Sequence, residues 1–284
     1  MKILLSLALF FVSINFTFAQ TSPIFYHQHY LAKSFNPAIH SFSFSNELMI
    51  AGALRPNAQT QDFLFSYSKA LNKRFSLGAQ FAFVNYGTFV QSPTYSLSSG
   101  YYLIHTDDFK LKTSVRFNYL NSRIRKEAIE AFDPNDPVIS SLSNSNQLTS
   151  DIGVLLNYKK LSWGLGLQHA ARSSVFAEGT PIRHSAPRQI SSYISYEYGL
   201  SNILTIDLSH FFTSDFDFYL NTYQTSVAYR NLVEIGASFN NAFLAPFVSM
   251  HFQDNFKVYA LYRQGFCAQA FGSTIEAGIS FGFD

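Results

Sequence analysis

Apolar and polar residues alternate along most of the chain, in stretches of roughly ten residues separated by turn-forming residues. Between Phe109 and Leu120, aromatic and aliphatic side chains hold one parity, and cationic or small polar side chains hold the other. A period of two is typical of a β-strand whose two faces meet different surroundings. The pattern predicts strands over residues 46–54, 61–70, 75–87, 93–105, 109–121, 148–158, 161–171, 188–198, 203–213, 218–229, 232–240, 243–252, 256–265 and 273–283.

The connections between these predicted strands differ in length in a regular way. Every second connection is short, and these read LNKR, TDD, KK, GLSN, RN and QDN. The intervening connections are generally longer, above all residues 122–147 and 172–187, although the link at Asn241–Ala242 is short. Short periplasmic turns opposite long extracellular loops, with an even number of strands, are typical of outer-membrane barrels. The pattern therefore predicts that both chain termini lie on the periplasmic side.

Composition separates a membrane barrel from a soluble β-sandwich. Aromatic residues make up 17% of the chain and charged residues only 13%, whereas soluble domains contain about 25% charged residues. A sandwich would also use strands of about five or six residues. We therefore expect an all-β fold, a transmembrane outer-membrane β-barrel of about 14 antiparallel strands over residues 46–284, surrounded by outer-membrane lipid.

Charge and cysteine content exclude further classes of function. The chain has 20 Lys and Arg against 18 Asp and Glu, a net charge of +2, and this balance argues against nucleic-acid binding. Its single cysteine, Cys267, cannot form an internal disulfide and excludes a cysteine-built metal site. We expect no cofactor.

The N-terminal residues do not follow the barrel pattern. Lys2 and the apolar run after it, with Thr17 and Ala19 at the positions a signal peptidase reads, predict a signal peptide over residues 1–19. Residues 20–45 form a separate N-terminal segment. Because a barrel of about fourteen strands is too wide for its wall side chains to fill, this segment is a candidate plug of the lumen. A periplasmic tail without a plugging role is equally compatible with the sequence.

Cations occupy the polar parity of the fifth predicted strand, at Lys110, Lys112 and Arg116. A Lys or Arg facing lipid at the bilayer midplane costs about 2–4 kcal/mol, so we expect these three side chains in the lumen. Acidic residues that could face them there are Asp151, Glu197 and Glu234. Two functions fit such charges, a charge-balanced wall and an anion-selective pore.

No catalytic motif stands out. His169 and His210 lie in predicted strands near serines, which is the arrangement of an outer-membrane lipid hydrolase, but no Gly-x-Ser-x-Gly elbow is present. The pair in "HQH", His27 and His29, could bind a metal weakly or simply form a polar terminus. We expect a protein that is not an enzyme.

Two further groups of residues invite a binding role. Asp133, Asn135 and Asp136 carry oxygen ligands suited to calcium, although Asx-Pro turn chemistry explains the same residues. A second group has aromatic rings that could form a sugar-binding platform, but the aromatic girdles of a barrel explain them as well. These residues are Tyr101, Tyr102, Tyr196, Tyr198 and Tyr262.

Three stretches resemble the PorP/SprF proteins of the Bacteroidetes type IX secretion system. The N-terminal "SPIFYHQHYLAKSFNPAIHSF" contains Asn36, Pro37 and Ala38 after an aromatic cluster, as in that family. The loop "EAFDPNDPVI" is similar to the family's acidic loop, and the chain ends in a similar strand, "IEAGISFGFD". The loop residues that carry this similarity are Asp133, Pro134, Asp136 and Pro137. The chain lacks the Gly that often follows Asn-Pro-Ala, because His40 and Ser41 stand there, and no Trp follows Arg55.

Asn is a good helix cap and Pro is tolerated at the first helical position. We therefore expect Asn36 to begin a short helical turn whose role is structural.

The resemblance implies an outer-membrane component of the type IX secretion system that supports secretion or cell-surface attachment of a partner protein. Its partners would be the secretion machinery and a large secreted cargo or adhesin, contacted through the long loops. Asn-Pro-Ala also occurs in FadL-like transporters, so the alternative is a channel for small or hydrophobic solutes.

Overall fold

The computed structural model describes residues 28–39, 46–56, 60–86, 90–125, 144–175, 187–216, 219–240, 242–252, 255–266 and 272–283. Within them, one helix, α1 (Gln28–Phe35), and one 3-10 turn (Pro37–Ile39) precede the strands. The strands are β1 (Asn46–Arg55), β2 (Thr60–Ala70), β3 (Phe75–Tyr86), β4 (Val90–His105), β5 (Phe109–Ile124), β6 (Ser145–Tyr158), β7 (Leu161–Val175), β8 (Gln189–Gly199), β9 (Leu204–Ser214), β10 (Tyr219–Tyr229), β11 (Val233–Phe239), β12 (Phe243–Phe252), β13 (Phe256–Gly265) and β14 (Ser273–Phe283). All fourteen predicted strands are confirmed.

The strands form one closed antiparallel barrel in chain order. Closure is made by β1 and β14, which pair from Asn46 opposite Phe283 to Leu54 opposite Ile275. A closed sheet has no edge, so every strand finds hydrogen-bond partners on both sides. In a bilayer core this is the way for strands to satisfy their backbone groups.

The two faces of the wall differ as the alternation predicts. Along β14, Thr274 and Glu276 are fully buried on the inner face, whereas Ile275 and Phe281 are 49% and 44% exposed on the outer face. Along β5, Phe117 is 66% exposed, while its neighbour Arg116 is buried. The polar parity therefore faces the lumen and the apolar parity faces outward.

The outer face of β5 has the height of a bilayer. From Phe109 to Tyr119 the strand advances ten residues, at about 3.3 Å each and with a tilt of about 40°, which gives an apolar band of about 25 Å. Beyond Tyr119 the same face carries Asn121 and Arg123. Strands β4 to β7 continue further at this end than the apolar alternation predicts, and most of the added residues, such as Gln91, Asn146 and Ser173, are polar.

Tight turns join the strands at one end of the barrel, here called the short-turn end. Asn72 Oδ1 accepts hydrogen bonds from the backbone N–H groups of Arg74 and Phe75 at 2.8 Å each. Arg230 and Asn231 have positive φ values of 50° and 53°, the conformation that reverses a two-stranded ribbon tightly. At the opposite end, called the loop end, β5 ends at Ile124 and β6 begins at Ser145, and β7 ends at Val175 and β8 begins at Gln189, so the two longest predicted connections belong to this end.

None of the helices among the described residues is both long enough and apolar enough to cross a membrane.

Candidate functional site: an N-terminal segment docked inside the barrel

Residues 28–39, here called the docked segment, lie against the inner wall of the barrel. Helix α1 contacts β7 and β9, and the 3-10 turn contacts β4 to β7. Its side chains Ala32, Ala38 and Ile39 are 1%, 0% and 5% exposed. The segment therefore occupies the lumen beside β4 to β9.

Asn36 is the residue that joins the docked segment to the wall. Its Nδ2 donates to the carbonyl oxygens of Val154 and Leu165, both at 3.1 Å. These two residues face each other on β6 and β7, so one amide bridges two strands. Its Oδ1 accepts from the backbone N–H of Ala38 at 2.8 Å, which caps the 3-10 turn that Pro37 begins. The structure thus places Asn36 at the start of a short turn and also gives it a wall contact.

Three glycines leave room for this contact, and we call them the glycine seat: Gly153, Gly164 and Gly166. A Cβ atom at Gly153 would overlap Asn36 Oδ1 and would lie 2.9 Å from the Ala38 nitrogen. A Cβ at Gly166 would lie 2.7 Å from the Phe35 carbonyl oxygen. Real Cβ atoms do not approach backbone atoms so closely, so the segment needs a bare wall at these positions.

Arg116 of β5 caps the C-terminal end of α1. Its guanidinium donates to the carbonyl oxygens of Lys33 and Ser34, at 3.3 and 2.6 Å, and Gln168 donates to the latter at 3.2 Å. The last carbonyls of a helix lack partners within the helix, and a cation there is also favoured by the helix dipole. The barrel wall therefore supplies a cap that the segment lacks.

The charge of Arg116 is balanced by Asp151 of β6. Arg116 Nε lies 2.7 Å from Asp151 Oδ2, and both side chains are almost fully buried. Asn118 donates to the same oxygen at 2.9 Å, and the backbone N–H of His169 donates to Oδ1 at 2.9 Å. A buried ion pair is retained when its remaining polar atoms are also satisfied, and these contacts satisfy both oxygens of Asp151.

A second buried ion pair ties the helix to β1. Lys33 Nζ lies 2.6 Å from Glu47 Oε1, with side chains 3% and 10% exposed. The pair joins the segment to the strand that follows it in the chain, on the other side of the lumen from the glycine seat.

Apolar contacts complete the interface. Ala32, Ala38 and Ile39 pack with Leu155 of β6, and Tyr193 of β8 packs against this cluster. The ring of Phe35 lies 5.3 Å from the ring of Phe211 on β9. The lumen contains a small hydrophobic core, as in a protein interior.

The other residues of the predicted lumen set take separate positions. Lys112 is buried, with Nζ 5.4 Å from the centre of the Tyr102 ring, and Lys110 is half-buried near the short-turn end. Glu234 lies 3.2 Å from Lys257 rather than beside β5. Glu197 is exposed near the short-turn end. Of the three predicted acids, Asp151 is the one that meets the predicted cations.

The histidines considered for catalysis have structural contacts. The backbone of His169 has a positive φ of 52° in β7, at a register irregularity with β6. The His210 Nε2 lies 3.1 Å from Asn221 Oδ1, and its ring stacks on Tyr223 at 4.7 Å. Within the described residues no cluster of three or more His, Cys, Asp or Glu could hold a metal ion.

The tyrosines considered as a sugar platform do not form one surface. Tyr101, Tyr196 and Tyr198 are 42%, 45% and 51% exposed, in the halves of β4 and β8 nearest the short-turn end. Tyr262 lies on β13, away from both. Tyr102 is half-buried beneath Lys112.

Several predictions fall outside the described residues. These are the signal peptide over residues 1–19, the side chains of "HQH", and the acidic loop with Asp133, Pro134, Asn135, Asp136 and Pro137.

The glycine seat was not predicted from the sequence. Gly153 lies in "DIGVLL", and Gly164 and Gly166 lie in "WGLGLQ", all on the lumen parity of neighbouring strands. Bare positions side by side on an inner wall are the signal that could have revealed a docking surface.

Solved structures with a similar fold include a hydrocarbon channel, a toluene transporter and a FadL homologue. The CymD monoaromatic hydrocarbon channel matches with a TM-score of 0.54 and 14% identity, over 94% of this chain and 95% of that one. The Ralstonia pickettii toluene transporter TbuX matches with 0.52 and 11%, over 92% and 93%. A Pseudomonas aeruginosa FadL homologue matches with 0.51 and 10%, over 94% and 96%. At such identities the similarity shows the barrel fold and no activity.

No curated protein sequence matches the chain. The sequence profile described as "Type IX secretion system membrane protein PorP/SprF" matches residues 19–274, which is most of the chain. This match confirms the resemblance seen around Asn36, Pro37 and Ala38. Together with the closed barrel, it identifies an outer-membrane protein associated with the type IX secretion machinery. The chain belongs to the PorP/SprF family of type IX secretion system membrane proteins.

Proposed function

We propose that this protein supports the secretion or cell-surface attachment of a large secreted partner protein, and that it does so by binding rather than by catalysis. In this proposal residues 1–19 are removed as a signal peptide, and residues 20–45 plug the barrel 46–284. The short-turn end faces the periplasm and meets other components of the machinery. The loop end faces outward.

One observation carries the proposal. A segment of the chain itself occupies the lumen beside β4 to β9, held by the buried ion pair of Lys33 with Glu47 and by hydrogen bonds from Arg116 to the carbonyl oxygens of Lys33 and Ser34. A conduit for solutes needs that space, whereas a docking component does not. A rigid, filled barrel instead offers its two rims to partners.

The long loops are the proposed outward contact surface. Within them, Asp133, Pro134, Asp136 and Pro137 are the candidates for partner contact. In this proposal Lys110, Lys112 and Arg116 stabilise the wall and the docked segment, and they do not line a pathway for anions.

Deletion of the gene tests the proposal. We expect loss of surface display of a secreted protein that carries a C-terminal secretion domain, measured by protease accessibility on whole cells. Complementation with the wild-type chain should restore display, whereas the variant Asp133→Ser/Asp136→Ser should restore less. The matched control is Asp107→Ser/Asp108→Ser, which removes two exposed carboxylates from a short turn at the opposite rim. Normal display in the deletion strain would contradict the proposal.

A solute channel is the second candidate, favoured by the fold similarity to hydrocarbon channels. The inner wall also has an apolar side, where Met49, Leu64 and Tyr259 are buried in one cluster. Purified chain in liposomes should then take up toluene. Uptake that increases when the docked segment is deleted would favour the channel, and a sealed barrel would favour the docking role.

A further inference from the structure

The outer face of the barrel is not uniformly convex. A groove of about 850 Å³ runs across β2 to β7 on the apolar face. One side of the groove is a row of large side chains that pair with one another on neighbouring strands: Phe65, Phe81, Tyr95, Tyr119 and Leu148. The rings of Phe81 and Tyr95 are 5.1 Å apart, and those of Tyr95 and Tyr119 are 6.4 Å apart.

The next row towards the short-turn end explains the depth of the groove. It runs in register through Ala79, Leu97, Phe117, Ser150 and Ala171. Leu97 and Phe117 are 68% and 66% exposed, whereas the other three residues are small. Large side chains therefore stand beside small ones, and the wall is hollow between them.

The groove lies within the apolar band. Tyr119 is the last apolar residue on its face of β5 before Asn121 and Arg123, so the aromatic row marks the level where the bilayer core meets its headgroups. The space below this row is at the depth of acyl chains.

The rim above the groove is cationic. Arg123 lies on the same face as Tyr119, four residues further and about 13 Å along the strand. It is exposed, and its Nε donates to Asn121 Oδ1 at 2.8 Å. The described parts of β3 to β6 that form this rim, residues 79–86, 90–97, 117–125 and 144–150, contain Arg123 and Arg125 and no Asp or Glu. A phosphate is the group that such a rim favours.

We propose that this groove binds a phosphorylated lipid of the leaflet at the loop end, with an acyl chain in the groove and its phosphate at Arg123. An acyl chain in the groove contacts the large side chains on one side and the small ones beneath it. It therefore makes more van der Waals contacts there than on a flat face. The arginine adds a charge-assisted hydrogen bond at the level of the headgroup. The site is separate from the docked segment and does not depend on the proposed role in secretion.

Native mass spectrometry of the full chain in detergent, titrated with monophosphoryl lipid A, tests the site. Arg123→Gln should lower the affinity about tenfold, because it removes one charge-assisted contact. Ala171→Phe should lower it at least as much by filling the groove. The matched controls are Arg74→Gln, at an exposed arginine of the short turn between β2 and β3, and Val227→Phe, at an outward position of β10 that is 44% exposed. Both should bind as the wild type does.

A second titration uses phosphatidylcholine, which has acyl chains but no net negative charge. It should bind more weakly than monophosphoryl lipid A, and Arg123→Gln should abolish the difference. Equal affinity of all four variants, or equal loss in all four, would overturn the proposal. So would a second membrane protein that co-purifies with the wild type, is released by Ala171→Phe and leaves no lipid bound. Should Ala171→Phe fail to fold, the comparison of Arg123→Gln with Arg74→Gln still decides.

Discussion

Replacing Gly153 by Val should release the docked segment while leaving the wall intact. The new Cβ would overlap Asn36 Oδ1 and lie 3.0 Å from Pro37 Cδ, so the turn must leave its seat. The wall itself should tolerate the change, because Val is favoured in strands. No side chain of the segment is altered, so the effect reports the seat alone.

The size of the effect follows from the interactions that Asn36 and Ile39 make with the wall. Asn36 gives up two hydrogen bonds to wall carbonyls, worth roughly 1–3 kcal/mol together. Ile39, which is 5% exposed, gives up burial worth about 1.5–3 kcal/mol. Even the lower sum, about 2.5 kcal/mol, raises the undocked population by a factor on the order of a hundred.

Cysteine labelling measures that population. Ser34→Cys, at a buried position of α1, serves as the reporter in a chain whose single native cysteine is replaced, Cys267→Ser. The rate of maleimide labelling in detergent should rise roughly a hundredfold with Gly153→Val, because the thiol reacts when the segment is undocked. The matched control is Gly52→Val, where an added Cβ meets a single atom, the Asp62 carbonyl oxygen at 3.8 Å.

An unchanged labelling rate in Gly153→Val would refute the reasoning. It would mean that the segment does not depend on the glycine seat. An equal rise in both glycine variants would also refute it, because the effect would then belong to the wall.

Three further changes test the remaining contacts. Arg116→Ala should lower the free energy of unfolding in detergent by roughly 3–5 kcal/mol, since it leaves Asp151 buried without its cation, and Arg116→Ala/Asp151→Ala should recover part of the loss. Glu47→Gln should raise the labelling rate of the docked segment, and Lys33→Met in the same chain should reverse much of that rise, because no buried charge remains. Phe211→Ala should also raise the rate, by removing the ring that packs on α1 at a cost of about 3 kcal/mol. No change in rate would exclude that ring as a contact of the segment.

The strands could be predicted from the sequence because their signal is local. A period of two over about ten residues records one apolar and one polar face, and each strand of this wall has both. The prediction is least accurate at the loop end of β4 to β7, where the strands run past the bilayer. There the outer face carries polar residues such as Asn121 and Arg123 as well, so the alternation that marks a strand disappears.

The docking site could be predicted only in part. Asn36 and Pro37 predict a turn, because helix capping and the fixed φ of proline act within a few residues. The partners of Asn36, Val154 and Leu165, are 118 and 129 residues away in the chain. The three glycines have no side chain whose chemistry would identify their partner. Bare positions on the lumen parity can indicate that something docks there, but no local pattern in a single sequence says which residues dock.

By itself, then, the amino-acid sequence determined the class of fold, the number of strands and the face that each residue presents, since these depend on neighbours within one strand. The tertiary structure decided which inner residues meet. In it Arg116 lies at the end of α1, three glycines contact Asn36, and a groove lies below the aromatic row on the outer face. Each of these depends on the register between strands and on closure of the barrel, which are properties of the whole wall.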